Sequence, residues 1–140
     1  MSSVSQIWIP KPEAAAACHS CEQLAYGSAA TVGQWRKLLA SPTTVALAHG
    51  SKPSAVAVAR CDASGWELLL VAVAPNARRR GFGRQLVELL GETQQLQLRL
   101  PETATESLQF ATAVGFKVER IGHCEHSSGC DCIYLIRDPK

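Results

Sequence analysis

A basic, glycine-containing stretch, RRRGFGR at residues 78–84, has the clearest chemical signature in the sequence. The glycines at 81 and 83 allow a close approach of the main chain to a ligand, and successive backbone N–H groups there can point into one concavity. The apolar residues from Leu86 to Leu90 have helical spacing, so the positive end of a helix follows the loop. The stretch therefore predicts a phosphate-binding loop, in which a bulky residue at either glycine would fill the space that the phosphates need.

Two common phosphate loops are excluded by spacing. A P-loop requires a Gly-Lys-Ser/Thr ending that this stretch lacks, and a dinucleotide fingerprint requires a third glycine where Leu86 stands. The observed pattern is Arg78-x-x-Gly81-x-Gly83, which follows an apolar run from Leu68 to Ala74. An isolated pattern of this kind could also be a basic turn between two elements.

The loop, coming directly after a strand that ends in Val73-Ala74-Pro75, resembles the acetyl-CoA-binding motif of the Gcn5-related N-acetyltransferase (GNAT) superfamily. Arginine or glutamine opens the family motif and glycine or alanine closes it. The resemblance implies that loop amides hold the CoA pyrophosphate, that the pantetheine arm pairs with the strand end, and that the Val73 amide donates to the thioester oxygen. The implied cofactor-binding residues are Val73, Ala74, Pro75, Arg78, Arg79, Arg80, Gly81, Phe82, Gly83 and Arg84.

Glu67 is the candidate general base. An attacking amine must be neutral, yet an α-amine titrates near ~7.7–8.0 and a lysine near ~10.4, so a base is useful at neutral pH. Glu67 is the only carboxylate in the central strand and stands eleven positions before Arg78, where histone-acetylating members of the superfamily have their base. The alternative is a solvated carboxylate at the start of a strand.

Several positions depart from the family pattern. Ala111 stands where many members have a tyrosine that protonates the departing thiolate, and Ala104 replaces an asparagine that contacts the cofactor. Tyr134 is the candidate replacement acid, although a partly buried, hydrogen-bonded tyrosine is the commoner structural role. The layout resembles RimI-type N-acetyltransferases, but their fifth-strand glutamate is Arg99 here. Arg99 would repel a cationic amine and attract a substrate carboxylate or phosphate, unless it is a solvated surface arginine.

The elements that must position these residues follow from periodicity and turn signals. The central strand at Leu68–Ala74 is expected to be buried on both faces, and Thr103 with Glu106 predicts a capping box. The strand at Gln95–Leu100 should run parallel to the central strand, because a helix lies between them. The predicted order is a strand at Ser5–Ile9, helices at 13–26 and 32–39, strands at Thr43–His49, Ala55–Arg60 and Leu68–Ala74, a helix at Arg84–Leu90, a strand at Gln95–Leu100, a helix from Thr103 to Gly115, and strands at Phe116–Arg120 and Ile133–Ile136.

This order is that of the GNAT fold. It predicts an α/β (α+β) domain with a mixed, mostly antiparallel sheet of about seven strands, a parallel central β-α-β unit and about four helices. A chain of 140 residues with 46% hydrophobic content predicts a single domain over residues 1–140. The net charge of +2 is concentrated in local clusters and does not indicate nucleic-acid binding.

The remaining composition bears on location and metals. The apolar block at Ala14–Cys18 lacks the features of a signal peptide or membrane span, so a cytoplasmic protein is expected. Six cysteines should then be reduced thiols. Cys18 and Cys21, with His123, Cys124, His126, Cys130 and Cys132, could in principle form a zinc site, but i, i+3 cysteines in a helix commonly just pack, so no metal is predicted.

The leading functional prediction is an enzyme, an acetyl-CoA-dependent N-acetyltransferase that passes acetyl directly to a primary amine of a small molecule or protein. Protein N-terminal (RimI-like) acetylation and a catalytically silent acyl-CoA-binding module are the alternatives. The predicted partners are acetyl-CoA and the acceptor, without nucleic acid or membrane, in a monomer or homodimer.

Overall fold

The computed structural model describes residues 6–123 and 131–139. Within them one seven-stranded sheet has the order β1-β2-β3-β4-β5-β7-β6, and every neighbouring pair is antiparallel except the parallel pair β4–β5. This confirms the predicted fold class. The elements are β1 (Ile7–Trp8), α1 (Ala15–Tyr26), α2 (Val32–Ala40), β2 (Thr44–His49), β3 (Ala55–Asp62), β4 (Gly65–Val73), α3 (Phe82–Leu90), β5 (Leu96–Pro101), α4 (Thr105–Ala113), β6 (Lys117–His123) and β7 (Asp131–Arg137).

Helices cover the two faces of the sheet and make two core layers. On one face, Cys18, Cys21 and Trp35 of α1 and α2 pack on Val56 and Val58 of β3. On the other face, the apolar side of α3 packs with α4 against β4, β5 and β7, through side chains that include Leu86, Val87, Leu90, Leu96, Ala111 and Leu135. The burial of these side chains holds β4 and the α3 N-terminus in fixed relative positions.

The helix ends follow local chemistry, with one correction. The α1 helix ends at Tyr26, as predicted, and Gly27 forms a left-handed cap with a positive φ of 73°. The predicted capping box at Thr103 and Glu106 is wrong, because Ala104 is the N-cap of α4 and no side chain caps it. The reason is the turn after β5, in which Ala104 N–H donates to Pro101 O and the helix begins only at Thr105.

The central strand is covered on both faces, as expected, because Leu68 is buried in one core layer and Ala72 in the other. The β4 strand pairs with β5 only at Trp66↔Leu96 and Glu67↔Gln97. On the β3 side, Ala59 lies opposite Leu68 and Val58 lies opposite Leu70, so Leu69 has no partner and forms a bulge. Beyond Glu67, β4 and β5 therefore separate, and Leu69 is 37% exposed. The apolar run of β4 thus contributes to both core layers and also lines an opening in the sheet.

No helix in the described ranges is long and apolar enough to cross a membrane.

Candidate active site

The opening between β4 and β5 is a cleft with a volume of about 510 Å³. Its walls are largely apolar and include Val71 and Val73 of β4, Leu98 of β5 and Phe110 of α4. The basic loop lies at one end of the cleft. Glu67, the last residue of β4 that pairs with β5, lies just beyond the other end. Such a cleft suits a long, mostly apolar ligand with an anionic terminus.

The edge of β4 that faces the cleft is not paired with another strand beyond Glu67. Ala74 N–H donates to Ser54 O at 2.8 Å, on the β3 side. Because peptide groups alternate along a strand, the N–H and C=O groups of Val73 and Val71 point to the opposite side, into the cleft. In agreement, Val73 O accepts from Arg78 Nε at 3.3 Å and Val71 O accepts from the Tyr26 hydroxyl. An extended ligand with amides could therefore pair with this edge as a strand does.

The predicted phosphate loop forms the N-terminus of α3. Gly81 is the N-cap with φ 79°, and a Cβ there would meet no atom within 4 Å. Arg79 also has a positive φ, 68°, which is uncommon for a residue with a side chain. The N–H groups of Phe82, Gly83 and Arg84 begin the helix, where no preceding turn supplies acceptors, and they lie at its positive end. The loop therefore has the donors that a pyrophosphate requires.

Gly83 has a packing role that the sequence did not reveal. It is buried, and a Cβ there would lie 3.0 Å from Val73 Cγ2, 3.3 Å from Val71 Cγ1 and 3.5 Å from Phe110 Cε1. The expectation that a side chain at 83 would fill the phosphate space is therefore wrong at this position. A side chain there would instead push α3 away from β4 and from α4.

The arginines of the loop differ in their contacts. Arg78 donates through Nη2 to Ala25 O at 2.8 Å, in the last turn of α1, as well as to Val73 O. It thereby ties the loop to α1 and to the end of β4. Arg84 pairs with Glu88 at 2.9 Å, while Arg79 and Arg80 are exposed. Most of the predicted loop residues line the cleft, whereas Ala74, Pro75 and Arg80 lie outside its lining.

Glu67 lies between two arginines. Its Oε2 accepts from Arg99 Nε at 2.8 Å, and its Oε1 accepts from Arg60 Nη2 at 3.2 Å. The Glu67 side chain is 17% exposed, against 46% for Arg99 and 44% for Arg60. Glu67 is therefore a paired and mostly covered carboxylate, not a solvated one, whereas Arg99 is an exposed arginine that also pairs with Glu67. Arg99 and Glu67 compensate each other, which the sequence could not indicate.

Tyr134 lies on the same face of the sheet as Glu67 and Arg99. It is directly opposite Arg99 in the β5–β7 register, and cross-strand partners share a face. The Arg120 guanidinium covers its ring at 3.6 Å from the centroid. Tyr134 is not part of the cleft lining. The structure thus brings Glu67, Arg99 and Tyr134 together, but separately from the loop residues that line the cleft.

Tyr26 is a cleft residue that the sequence analysis missed. It is the last residue of α1, and its hydroxyl donates to Val71 O on the open edge of β4. Tyr26 is 56% exposed, but the partial burial of its side chain, and secondarily the Glu22 carboxylate, raise the pKa of the phenol above its ordinary value. The only sequence signal was its place before the Gly27 stop, and nothing local indicates a contact with a strand 45 residues away.

The cysteines that the structure describes do not form a metal site. Cys18 and Cys21 are buried in the core, and burial raises the pKa of each thiol to about 11. No group of three or more His, Cys, Asp or Glu side chains within residues 6–122 and 131–139 is arranged to hold a metal. Cys124, His126 and Cys130, which the sequence analysis considered, lie outside the described residues.

Comparison with known proteins identifies relatives of this arrangement. The family model of the acetyltransferase (GNAT) domain matches residues 41–118, more than half of the chain. No curated protein sequence matches the chain.

Solved structures share the fold at low sequence identity. The ribosomal-protein-S18-alanine N-acetyltransferase from Escherichia coli has a TM-score of 0.72 and 19% identity, over 94% of this chain and 91% of that one. A GNAT-family acetyltransferase from Bacillus cereus has a TM-score of 0.77 and 16% identity, over 96% of each chain. NAA60 from Arabidopsis thaliana, in complex with a bisubstrate analogue, has a TM-score of 0.70 and 11% identity, over 93% and 96%.

Proposed function

The chain belongs to the GNAT family of acetyltransferases, and on that premise we propose that it transfers an acetyl group from acetyl-CoA directly to a primary amine, without a covalent enzyme intermediate. The observation that carries the proposal is the cleft between β4 and β5. It combines an open strand edge with the N-terminus of α3 at one end and a carboxylate, Glu67, just beyond the other. These are the parts that a long thioester with a pyrophosphate requires.

The donor set of the cleft fits acetyl-CoA. The N–H groups that open α3 and the neighbouring Arg79 and Arg84 suit the pyrophosphate, which prefers N–H donors and positive charge. The end of β4 around Val73 suits the amides of the pantetheine arm. The Val73 N–H is the proposed donor to the thioester oxygen, where a fixed N–H stabilises the negative charge that develops during attack. Acetyl-CoA supplies the activated acyl group.

Glu67 is the proposed base for the acceptor amine. Each carboxylate oxygen accepts one guanidinium hydrogen bond, and a carboxylate has about four lone-pair sites, so accepting capacity remains. Two flanking arginines fix the carboxylate in one orientation, which favours a defined proton path. The amine proton passes to Glu67 directly or through one water as the nitrogen attacks.

Arg99 is proposed to favour acceptors that carry an anionic group. Arg60 and Arg99 present two positive charges around the single negative charge of Glu67, and Arg120 adds a third guanidinium on the same face. A carboxylate or phosphate on the acceptor would offset this excess, whereas a purely cationic amine would be repelled. An amine that carries a carboxylate should therefore be acetylated faster than the same amine with that carboxylate converted to an amide.

The direct test is thiol release from acetyl-CoA with a panel of amines. We expect release above the no-acceptor control with at least one amine, and an acetylated acceptor in equal amount. The panel should include amino acids, their amides, and peptides with acidic, neutral and basic N-termini. Release at the no-acceptor rate with every amine would reject the enzyme.

Two other functions have specific support. Ala111 is fully buried at the position where many family members have a tyrosine that acts as general acid. The absence of this tyrosine favours a catalytically silent acyl-CoA-binding module. Such a module would bind acetyl-CoA without turnover. The similarity of the fold to the ribosomal-protein-S18-alanine N-acetyltransferase favours a protein N-terminus as acceptor. In that case peptides should be acetylated in preference to free amino acids.

A further inference from the structure

Tyr26 reaches across the cleft from the end of α1. Its hydroxyl donates to Val71 O on the edge of β4 that faces the cleft. Among the cleft-lining residues that the structure describes, Tyr26 has the only phenol. Tyr134, the other tyrosine of the chain, is outside the lining and has its ring under Arg120.

The proposed reaction needs a proton donor at this edge. Breaking the thioester leaves an electron pair on sulfur, and a thiol has a pKa near ~8.5, so protonation of the thiolate assists its departure at neutral pH. Ala111 is fully buried and supplies no proton.

The position of Val71 relates Tyr26 to the reacting atoms. The loop that suits the pyrophosphate lies at one end of the β4 edge, and Glu67 lies at the other. The thioester must lie between them, and Val71 is within that interval. A group of the bound substrates that donates to Val71 O would replace the Tyr26 hydroxyl, which is then free to donate to another acceptor in the cleft.

We propose that Tyr26 donates the proton to the departing sulfur of CoA, an inference that rests on the proposed acetyl transfer. The amine nitrogen bonds to the thioester carbon, and the C–S bond breaks with its electron pair passing to sulfur. The Tyr26 O–H proton passes to sulfur and gives the thiol. The proton that the amine released to Glu67 then passes through water to the phenolate. In total, one proton leaves the nitrogen and one reaches the sulfur.

Tyr26 keeps its proton at neutral pH, although the residue is 56% exposed. Burial and the Glu22 carboxylate raise the pKa of the phenol, while Arg78 acts in the opposite direction. The hydroxyl therefore keeps its proton throughout the neutral range, including conditions in which a free thiol is ionised.

A binding cycle tests the contact without relying on turnover. CoA and desulfo-CoA differ at sulfur, so the ratio of their dissociation constants reports on what the protein does there. Calorimetric titrations at pH about 7 and about 9 would compare wild type with Tyr26→Phe and with Tyr134→Phe, which removes the other candidate phenol. Tyr26→Phe also frees Val71 O and can change both affinities, but that change cancels in the ratio.

In wild type, we expect the preference for CoA over desulfo-CoA to increase between pH 7 and 9, because the phenol donates to a thiolate. A hydrogen bond to a charged group predicts a gain of about tenfold or more. Tyr26→Phe should abolish this gain and lower kcat, by ~10²–10⁴-fold if the full acid contribution is lost. Tyr134→Phe should keep the pH-dependent gain.

The outcomes that overturn the proposal are distinct. An unchanged ratio and pH dependence in Tyr26→Phe would reject Tyr26 as the donor while leaving acetyl transfer intact. A loss that follows Tyr134→Phe would assign the role to Tyr134. If wild type binds neither CoA nor desulfo-CoA, the proposed function itself fails, and this inference fails with it.

Discussion

Replacing Glu67 by glutamine tests the proposed base with a nearly isosteric change. Loss of a general base lowers turnover by ~10²–10⁴-fold, which corresponds to about 2.7–5.5 kcal/mol in the activation barrier. The same change weakens two ion pairs, to Arg60 and Arg99. Because both arginines are nearly half exposed, each pair contributes only about 0.2–1 kcal/mol to folding stability. The catalytic loss should therefore exceed the stability loss.

The assay is thiol release as a function of pH with two acceptors of different basicity. With an α-amine, the deficit of Glu67→Gln should shrink above pH about 8, because the amine then deprotonates unaided. With a lysine-like amine, the deficit should persist to higher pH, since that amine titrates near ~10.4. The affinity for CoA should be unchanged. Glu119→Gln is the matched control, because Glu119 is an exposed carboxylate of β6.

A deficit of equal size at every pH and with both amines would refute the role of Glu67 as base. It would instead assign Glu67 to holding the end of β4 in place. A fall in melting temperature large enough to unfold the variant at the assay temperature would point the same way, and urea unfolding of the variant distinguishes that case from a loss of chemistry.

Saturation with CoA at a hundredfold its dissociation constant should stabilise the fold by ~2.7 kcal/mol, and a melting temperature unchanged by CoA would contradict the loop assignment. Gly83→Ala should cost about 1–3 kcal/mol of folding stability through overpacking and should weaken CoA binding. Gly81→Ala, at φ 79° with open space around the added Cβ, should cost only about 1 kcal/mol. Urea unfolding compares the two variants, and a Gly83→Ala protein as stable as wild type would be inconsistent with the packing of Gly83. Cys18 and Cys21 should resist alkylation at pH 8 until the protein unfolds, as peptide mapping can check. The unfolded chain loses these thiol protons as pH rises above 9.0, whereas the folded chain keeps them. The free energy of unfolding should therefore fall as pH rises from 9.0 toward about 11. Alkylation of the folded protein as fast as that of the unfolded protein would contradict the burial of the two thiols.

The order of elements was predictable because each element carries its own local signal. Gly27 ends α1, the apolar spacing from Leu86 to Leu90 identifies α3, and the alternation in β5 fixes its apolar face. The direction of β5 relative to β4 follows from the helix between them. The loop was found from the same kind of local information, since its glycines and arginines are adjacent in sequence.

The parts that sequence did not predict depend on contacts between distant segments. The strands β4 and β5 separate where their pairing stops at Glu67 and β4 has a bulge at Leu69. Neither feature can be predicted from a run of apolar residues. The contact of Tyr26 with Val71 and the ion pairs of Glu67 likewise join residues that are far apart in the chain. The packing role of Gly83 depends on side chains from β4 and α4.

The central claim is direct acetyl transfer in the β4–β5 cleft, and following an isotopic label in the acetyl group tests it most directly. The protein would be mixed with an equal amount of labelled acetyl-CoA, first without acceptor and then with the best amine of the panel, and intact protein and products would be analysed by mass spectrometry. We predict that the protein never carries the label and that all transferred label appears in the amide of the acceptor, one for each thiol released. A labelled protein that forms first and is then consumed by the amine, or thiol release without labelled amide, would contradict the account.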